Sequence, residues 1–338
     1  MSLSQIDKLI DWYKENARDL PWRHTSDPYR IWISEIMLQQ TRVEAVKSYY
    51  SRFLSAFPNV KSLASAEDDK LLKLWEGLGY YNRARNMKKA ANAICLDFNG
   101  SFPQSYEDIL KLPGIGEYTA GAISSIAFRQ KVPAVDGNVL RVLSRINADP
   151  SDISLPATRK KIRSDLLMYM PDDYPGIFNQ ALMELGATVC LPNGMPQCDA
   201  CPLRDSCKAH ADHEELSYPK KSGKTKRRIE QKTIFVLNTK DGVIGYKRPD
   251  TGLLASLYQL PEEPGLLTPD EMAKYLESKG ISPVGEIRIY MRKHVFTHVE
   301  WHMRVCAADV LPTKELPDSW LIIEPDIHSL PTAYRICL

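Results

Sequence analysis

The chain has no run of 18 apolar residues, so no segment reads as a membrane-spanning helix. Its first stretch, MSLSQIDKLIDWYKEN, lacks the apolar centre of a secretory signal, and none is expected there. It has little net charge, +2, so the overall balance does not announce a nucleic-acid partner. Cysteine is scarce and odd in number, seven in 338 residues, which argues against a secreted disulfide framework and for a reducing, cytoplasmic setting. Internal repeats are lacking as well. The length suggests two or three domains, and an apolar fraction of 43% supplies sizeable cores.

Four of the seven cysteines crowd into one stretch. Cys190, Cys198, Cys201 and Cys207 form C-x7-C-x2-C-x5-C, with no cysteine in the 94 residues before or the 98 after. Four thiolates this close hold a metal or a cluster more readily than they form disulfides. Structural zinc sites usually pair two C-x2-C knuckles, and only Cys198 and Cys201 make one here. Short spacings and the following Pro202 fit a [4Fe-4S] cluster better. Cys95, Cys306 and Cys337 are isolated thiols.

Residues 1 to about 210 read as helical, with apolar residues at three- and four-residue spacing, as in Ile6, Ile10 and Tyr13 or Leu71, Leu72 and Trp75. Asp27-Pro28 and Ser105 are helix starts, and Gly77 and Gly79 are stops. Proline and charge dominate from Ser217 to Arg228, which marks a linker. Its KKSGKTKRR, residues 220–228, packs six cations into nine positions and suits either a solvated connection or phosphate attraction. Beyond it, two strands meet at Lys240-Asp241-Gly242, a hairpin signal. Thr268-Pro269-Asp270-Glu271 is a capping box opening a helix that Gly280 closes. Alternating segments at Glu286–Tyr290 and Glu300–Cys306 make this second part mixed α/β.

Three local features carry chemistry. Leu112-Pro113-Gly114-Ile115-Gly116 sits between helical YEDILK and EYTAGAISSIAF. Its glycines let the backbone turn tightly and present N–H groups, with a helix N-terminus behind them, to a phosphate. Such a helix-hairpin-helix grips DNA without reading sequence; a plain helix–helix turn is the other reading. Glu35 lies in YRIWISEIML, apolar almost all round, so its pKa should rise far enough for it to donate a proton near neutrality; otherwise it is a helix-face glutamate paired with Arg30 or Arg42. Asp136 follows the apolar, strand-like VPAV and is either a carboxylate facing the same cleft or the N-cap of VLRVLSRI.

The order hairpin, aspartate, four-cysteine cluster resembles the endonuclease III superfamily of DNA glycosylases, and within it the MutY-type adenine DNA glycosylases. LPWR at 20–23, SEIMLQQT at 34–41, WEGLGYYNRARN at 75–86, LPGIGEYTAGAI at 112–123, VDGNVLRV at 135–142 and FNQALMELGATVC at 178–190 follow that pattern. The resemblance implies an all-α helix-hairpin-helix glycosylase domain with an iron–sulfur module over 1–212 (hairpin about 105–128, cysteine loop 190–207). A basic linker at 213–229 and an α/β Nudix-like domain at 230–338 would follow.

By resemblance the substrate is double-stranded DNA with adenine opposite 8-oxoguanine or guanine, and the protein acts as a monomer, nucleoid-associated in a bacterium. Glu35 would protonate adenine N7, and Asp136 would stabilise the sugar cation with Asn138 and Tyr118 beside it. Tyr118 stands where bifunctional relatives carry lysine, which implies a glycosylase without lyase activity. Gln40 and Tyr80 would wedge the duplex, with Leu38, Thr41 and Leu78 lining the region, Arg18 and Arg23 as polar contacts, and Glu184 near the adenine edge. Gly114 and Gly116 would hold phosphate. Arg204 and Lys208 would face phosphate from a loop organised by the cluster.

Phe296-Thr297-His298 matches the loop that reads 8-oxoguanine, with threonine where the family commonly has serine. Tyr258 stands where tryptophan is common. The helix PDEMAKYLESKG lacks the clustered glutamates that hold magnesium in Nudix hydrolases, so no such activity is expected. The family spacing of the cysteines is C-x6-C-x2-C-x5-C, so this chain carries one extra residue in LPNGMPQ, which a loop should absorb. Two alternatives stand beside this reading: an endonuclease III-like pyrimidine glycosylase with lyase activity, and a non-catalytic iron–sulfur DNA-binding protein.

Overall fold

The computed structural model describes residues 2–223, 226–312, 316–317 and 319–338. Lys224 and Thr225 of the basic run lie outside them. The chain divides into two units: Met1–Ala66 with Arg85–Gly223, and Glu67–Ala84 with Lys224–Leu338.

The first unit is helical, and its caps are those the sequence announces. In α1 (Leu3–Asn16), Ser2 and Gln5 form a reciprocal capping box, and Ile6, Leu9, Ile10 and Tyr13 are buried along one stripe. Asp27 caps α2 (Pro28–Leu38) by accepting the Tyr29 N–H, with Pro28 at the first helical position. Every residue of α2 from Ile31 to Met37 is buried, so this helix is enclosed on all sides. Next come α3 (Val43–Ala56), α4 (Val60–Ala64), α5 (Asp68–Leu74, which belongs to the second unit) and α6 (Asn82–Asp97). Ser105 caps α7 (Tyr106–Lys111), and α8 (Glu117–Phe128) follows.

Asp136 caps α9 (Gly137–Asn147) through the Val139 N–H at 2.8 Å. The VPAV ahead of it is irregular extended chain and not a strand. The remaining helices here are α10 (Pro156–Tyr169), α11 (Pro175–Thr188) and α12 (Lys208–Ala211). Helix α11 packs on α8, α9 and α1, while α2 packs on α8. Close approach needs small residues: a Cβ on Gly186 of α11 would lie 2.5 Å from Asn138 Cβ. Asn179, fully buried on α11, donates to Ser125 Oγ (2.8 Å) and the Val132 carbonyl (2.9 Å) and accepts from the Ala134 N–H (3.1 Å). It thereby fixes the chain that leads into Asp136.

The second unit carries a mixed sheet. β1 (Arg228–Thr239) and β2 (Gly242–Lys247) form the expected hairpin, with Thr239 opposite Gly242. β3 (Tyr258–Gln259), β4 (Glu262–Pro264), β5 (Ile281–Val295), β6 (Val299–Pro312) and β7 (Trp320–Ile323) complete it in the order β3-β2-β1-β6-β5, with β4 on β1 and β7 on β2. The pair β1–β6 is parallel and the others antiparallel. α13 (Pro269–Ser278) opens on the Thr268–Glu271 capping box and covers one face. α14 (Thr332–Arg335) brings Tyr334 into the core of the other.

In the turn between α7 and α8, the two glycines have different reasons. Gly114 has φ +77°, and a Cβ there would lie 2.6 Å from Asn86 Cβ. Gly116 is extended (φ −99°), caps α8 without a side-chain hydrogen bond, and would place a Cβ in open space. The first-turn N–H groups of α8 therefore face an unblocked approach. Gly114→Ala should cost about 1–3 kcal/mol of stability, and Gly116→Ala less than about 0.5 kcal/mol. Denaturant melts check both, and anisotropy with a plain duplex should show Gly116→Ala binding DNA more weakly at unchanged stability.

Candidate active site

The packed helices deliver their polar side chains to one cavity of about 740 Å³ in the first unit, a volume suited to a ligand of base size and above. Arg18, Arg23, Glu35, Leu38, Gln40, Thr41, Tyr118, Asp136, Asn138 and Glu184 all line it. Ten residues picked from five separate stretches of sequence thus meet in one place.

Glu35 projects from α2 and is 7% exposed. Among the described residues it forms no ion pair with Arg30, which meets Asp27 at 3.7 Å, or with Arg42. The Tyr118 hydroxyl, from α8, donates to its Oε2 at 2.5 Å and also contacts Met183 Sδ at 3.3 Å. Oε1 has no protein partner among the described residues. Burial pushes the Glu35 carboxyl from its ordinary 4.5 up to about 7, the Tyr118 hydrogen bond pulls back, and the nearby Asp136 charge pushes up again. Burial and the adjacent carboxylates hold the Tyr118 phenol well above 10.

Asp136 is both a helix cap and a cavity carboxylate. Its Oδ1 accepts from Val139 N–H and its Oδ2 from Asn138 Nδ2 at 2.7 Å. Burial raises its pKa, and these donors with Arg141 oppose the rise. Asn138 is itself held by Arg141 Nη2 at 2.8 Å, and the same arginine gives Nε to the Cys190 carbonyl at 2.8 Å. Glu184, 1% exposed, receives Arg18 Nε (2.8 Å) and Nη2 (2.7 Å) and Arg23 Nη2 (2.5 Å). Burial alone would raise its pKa, and these bonds reverse the effect, bringing it to about 2.

The wedge candidates share a backbone anomaly: Gln40 has φ +61° and Tyr80 φ +47°. Both side chains are large, and left-handed backbone in such residues is strained and held only where the surroundings over-determine it. Tyr80 belongs to the second unit, is 51% exposed and meets the Thr297 hydroxyl at 2.7 Å. Thr297 and His298 are exposed between β5 and β6, while Phe296 packs edge-on against Trp301. Leu78 is 6% exposed, packed inside the second unit, and does not offer itself to a ligand.

The four cysteine thiols are free and line one small cavity walled by Val142, Ile146, Leu185 and Val189. The Val189 carbonyl accepts from Gln197 N–H at 2.9 Å, which closes the loop between Cys190 and Cys198, and residues 192–195 of that loop are exposed. Arg145, 3% exposed, gives Nη1 to Cys190 Sγ at 3.2 Å. Arg204 does not stand free for phosphate: Asp199 holds it at 2.9 Å and His210 at 3.1 Å. Arg141 and Arg145 escaped the sequence reading. Their signal was present, two cations four apart on a helix whose residues 139–146 are all buried. Arg159, Gln180, Met183 and Lys221 also line this cavity; Gln180 and Met183 lie in a quoted motif and Lys221 in the basic run, but none was singled out as a site residue.

The HhH-GPD superfamily of base excision DNA repair proteins matches residues 33–168, and the NUDIX domain matches 233–338. Adenine DNA glycosylase of Buchnera aphidicola (subspecies Baizongia pistaciae) is 40% identical over 258 residues, covering 75% of this chain and 72% of the relative. That of Mus musculus is 33% identical over 381 residues, covering 94% and 73%. The chain belongs to the adenine DNA glycosylase family. Among solved structures, a thermostable thymine-DNA glycosylase superposes with a TM-score of 0.56 at 30% identity, covering 61% of this chain and 95% of that one. The first matched region is helical, although its residues Glu67–Ala84 belong to the second unit, and the second matched region carries the mixed sheet.

A carboxyl whose folded pKa of about 7 exceeds its ordinary 4.5 binds more protons folded than unfolded between those values, so it destabilises the fold as pH rises through them. Glu35→Gln should therefore stabilise the protein by on the order of 3 kcal/mol at pH 8 and by little at pH 4. Chemical denaturation at the two pH values checks this; an equal difference at both would mean that Glu35 does not titrate as described.

Proposed function

We propose that this enzyme of base excision repair removes adenine from duplex DNA where it faces 8-oxoguanine or guanine, acting as a monofunctional glycosylase and leaving an abasic site. The observation that carries the reading is the Glu35–Tyr118 hydrogen bond inside a cavity that also holds Asp136. A base must leave the stack to reach such a cavity, at a cost of a few kcal/mol, and the strained, exposed Gln40 and Tyr80 suit the gap it leaves.

Tyr118 occupies one oxygen of Glu35 and leaves Oε1 to carry a proton to adenine N7. The C1′–N9 electron pair then departs with a base made neutral by that proton. The sugar becomes oxocarbenium-like, and the Asp136 carboxylate, oriented by Val139 and Asn138, stabilises it. Water adds at C1′ and its proton returns to Glu35. Tyr118 has no amine, so no Schiff base forms and the strand stays whole. Glu184 with Arg18 and Arg23 forms a fixed polar wall near the base edge. Gly114 and Gly116 present backbone N–H groups to phosphate, and Thr297 and His298 with Tyr80 meet the opposing base.

The four cysteines fit a [4Fe-4S] cluster. Burial, with the neighbouring cysteines adding to it, pushes Cys198 to about 11 and Cys201 to about 12 and raises Cys207, so the thiolate forms coexist only around a strongly cationic centre. Arg145 supplies a donor to sulfur. Bound there, the cluster would cross-link the loop after α11, and no step of the excision passes through it. Cys198, His210 and Glu215 group closely enough to hold a zinc ion instead, which gives the metal analysis a real alternative. The setting we propose is cytoplasmic, at the nucleoid in a bacterium, and the acting species a monomer.

Duplexes with adenine opposite 8-oxoguanine should break only after hot alkali. Breaks without alkali would indicate a lyase, and no breaks at all would end the enzyme reading. The single-turnover rate should fall above pH 7 as Glu35 loses its proton, and fall in acid at a pH above the ordinary aspartate range. Glu35→Gln should lose at least about 100-fold in rate while still binding DNA. Iron and acid-labile sulfide should be present in equal amounts, and a colourless zinc protein would refute the cluster.

A further inference from the structure

Residues Glu67–Ala84 lie in sequence between helices of the first unit, yet they pack with the carboxy-terminal residues. Two carboxylates make the attachment. Glu76 receives Arg335 Nε at 2.5 Å and Nη2 at 3.2 Å, Lys73 Nζ at 2.6 Å and the Leu330 N–H at 3.2 Å. Lys73 also donates to the carbonyls of Pro325 (2.7 Å) and His328 (3.3 Å), and Arg335 to that of Pro325. Asp69 receives Lys247 Nζ at 2.6 Å and the Tyr258 hydroxyl at 3.1 Å. The Glu76 side chain is 12% exposed and that of Arg335 34%, so the two-pronged pair is shielded from water.

Directly after Glu76 the chain makes a loop stiffened from within. Gly77 and Gly79 have φ of +96° and +68° and Tyr80 follows at +47°. Trp75 Nε1 donates to the Gly79 carbonyl at 3.1 Å, and Arg83 donates to those of Leu78 and Gly79 at 3.0 and 3.2 Å. The loop ends on the Tyr80 hydroxyl at Thr297. A left-handed tyrosine relaxes unless both flanks are held, and the flank on the Glu76 side is held by Arg335.

We propose that the Glu76–Arg335 ion pair, assisted by Lys73, is a positioning device that sets Tyr80 against Thr297 and so tunes preference for the base opposite adenine. This rests on the reading above, in which Tyr80 and Thr297 meet that base. Arg335 acts through Glu76, by raising the fraction of protein with Tyr80 in its binding-competent place, and apparent affinity scales with that fraction. The effect is confined to substrates whose recognition uses Tyr80 and Thr297.

The test compares single-turnover excision of adenine opposite 8-oxoguanine and opposite guanine, at enzyme concentrations below saturation, in the full-length protein. The variants are Arg335→Ala, Arg335→Lys, Tyr80→Ala and the double variant Tyr80→Ala/Arg335→Ala, each with a melting temperature. Arg335→Ala should lose about tenfold in preference for 8-oxoguanine while its rate opposite guanine stays within about twofold. Arg335→Lys should recover part of the loss, and Arg335→Ala should add nothing once Tyr80 is gone. Equal loss on both substrates, additivity with Tyr80→Ala, or no loss while Tyr80→Ala does lose preference would overturn the positioning role. Should Tyr80→Ala leave the preference intact, the reading of Tyr80 falls, and this proposal with it.

Discussion

One carboxyl held out of water, Glu35, sets the demands that the rest of the helical unit meets. An isolated buried carboxylate is costly, and a protein that keeps one must leave it neutral or compensate it. Helix α2 is enclosed from Ile31 to Met37, so water cannot solvate Glu35 from its own helix. Among the described residues its hydrogen bond comes from Tyr118, a donor that stabilises the charged form without supplying a full positive charge. Arg23, which acts on Glu35, is committed together with Arg18 to Glu184, whose own carboxyl they hold down at about 2. Glu184 thus offsets part of the arginines' positive field, and what remains of Arg23's lowers the Glu35 pKa less than burial raises it. Glu35 is left near neutrality, where a proton donor works best at physiological pH.

That balance needs accurate placement, and the helices reach it by near-contact of backbones. Gly186 lets α11 come against Asn138, so the residue that steadies Asp136 touches the helix that carries Glu184. Asn179 satisfies all its buried polar atoms while pinning the extended chain before Asp136. A side chain at 186 would collide with Asn138, and an apolar one at 179 would leave the chain before Asp136 without these bonds. Core packing and site geometry are here the same constraint.

How much was legible in sequence follows the range of the interactions. Asp27-Pro28, Ser105, Thr268 with Glu271, and Lys240-Asp241-Gly242 act within four residues, and each starts or turns the element expected of it. Asp136 was legible twice, as cap and as carboxylate, because the two roles use different oxygens. What stayed hidden was long-range. The attachment of Glu67–Ala84 to the second unit is made by Glu76 with Arg335 and Asp69 with Lys247, pairs about 260 and 180 positions apart that no periodicity announces. Arg141 and Arg145 were visible only as violations of an apolar stripe, and their partners, Asn138 and the Cys190 sulfur, could be known only after folding.

The contrast between the two units follows from what each is proposed to do. Proton donation to a leaving base needs a carboxyl pKa displaced by two or three units, and only enclosure among apolar helices displaces it that far. Recognition of an opposing base needs groups ready to exchange water for a base edge, where each hydrogen bond contributes only about 0.5–1.5 kcal/mol net. Tyr80 and Thr297 are accordingly exposed and uncharged, joined by one hydroxyl contact that a ligand can join or replace. Such modest energies discriminate only if the groups are already in place, since any freedom to wander subtracts from them directly. The dense ion pairing therefore lies behind the recognition loop, at Glu76 and Asp69, where charge can fix position without competing for the base.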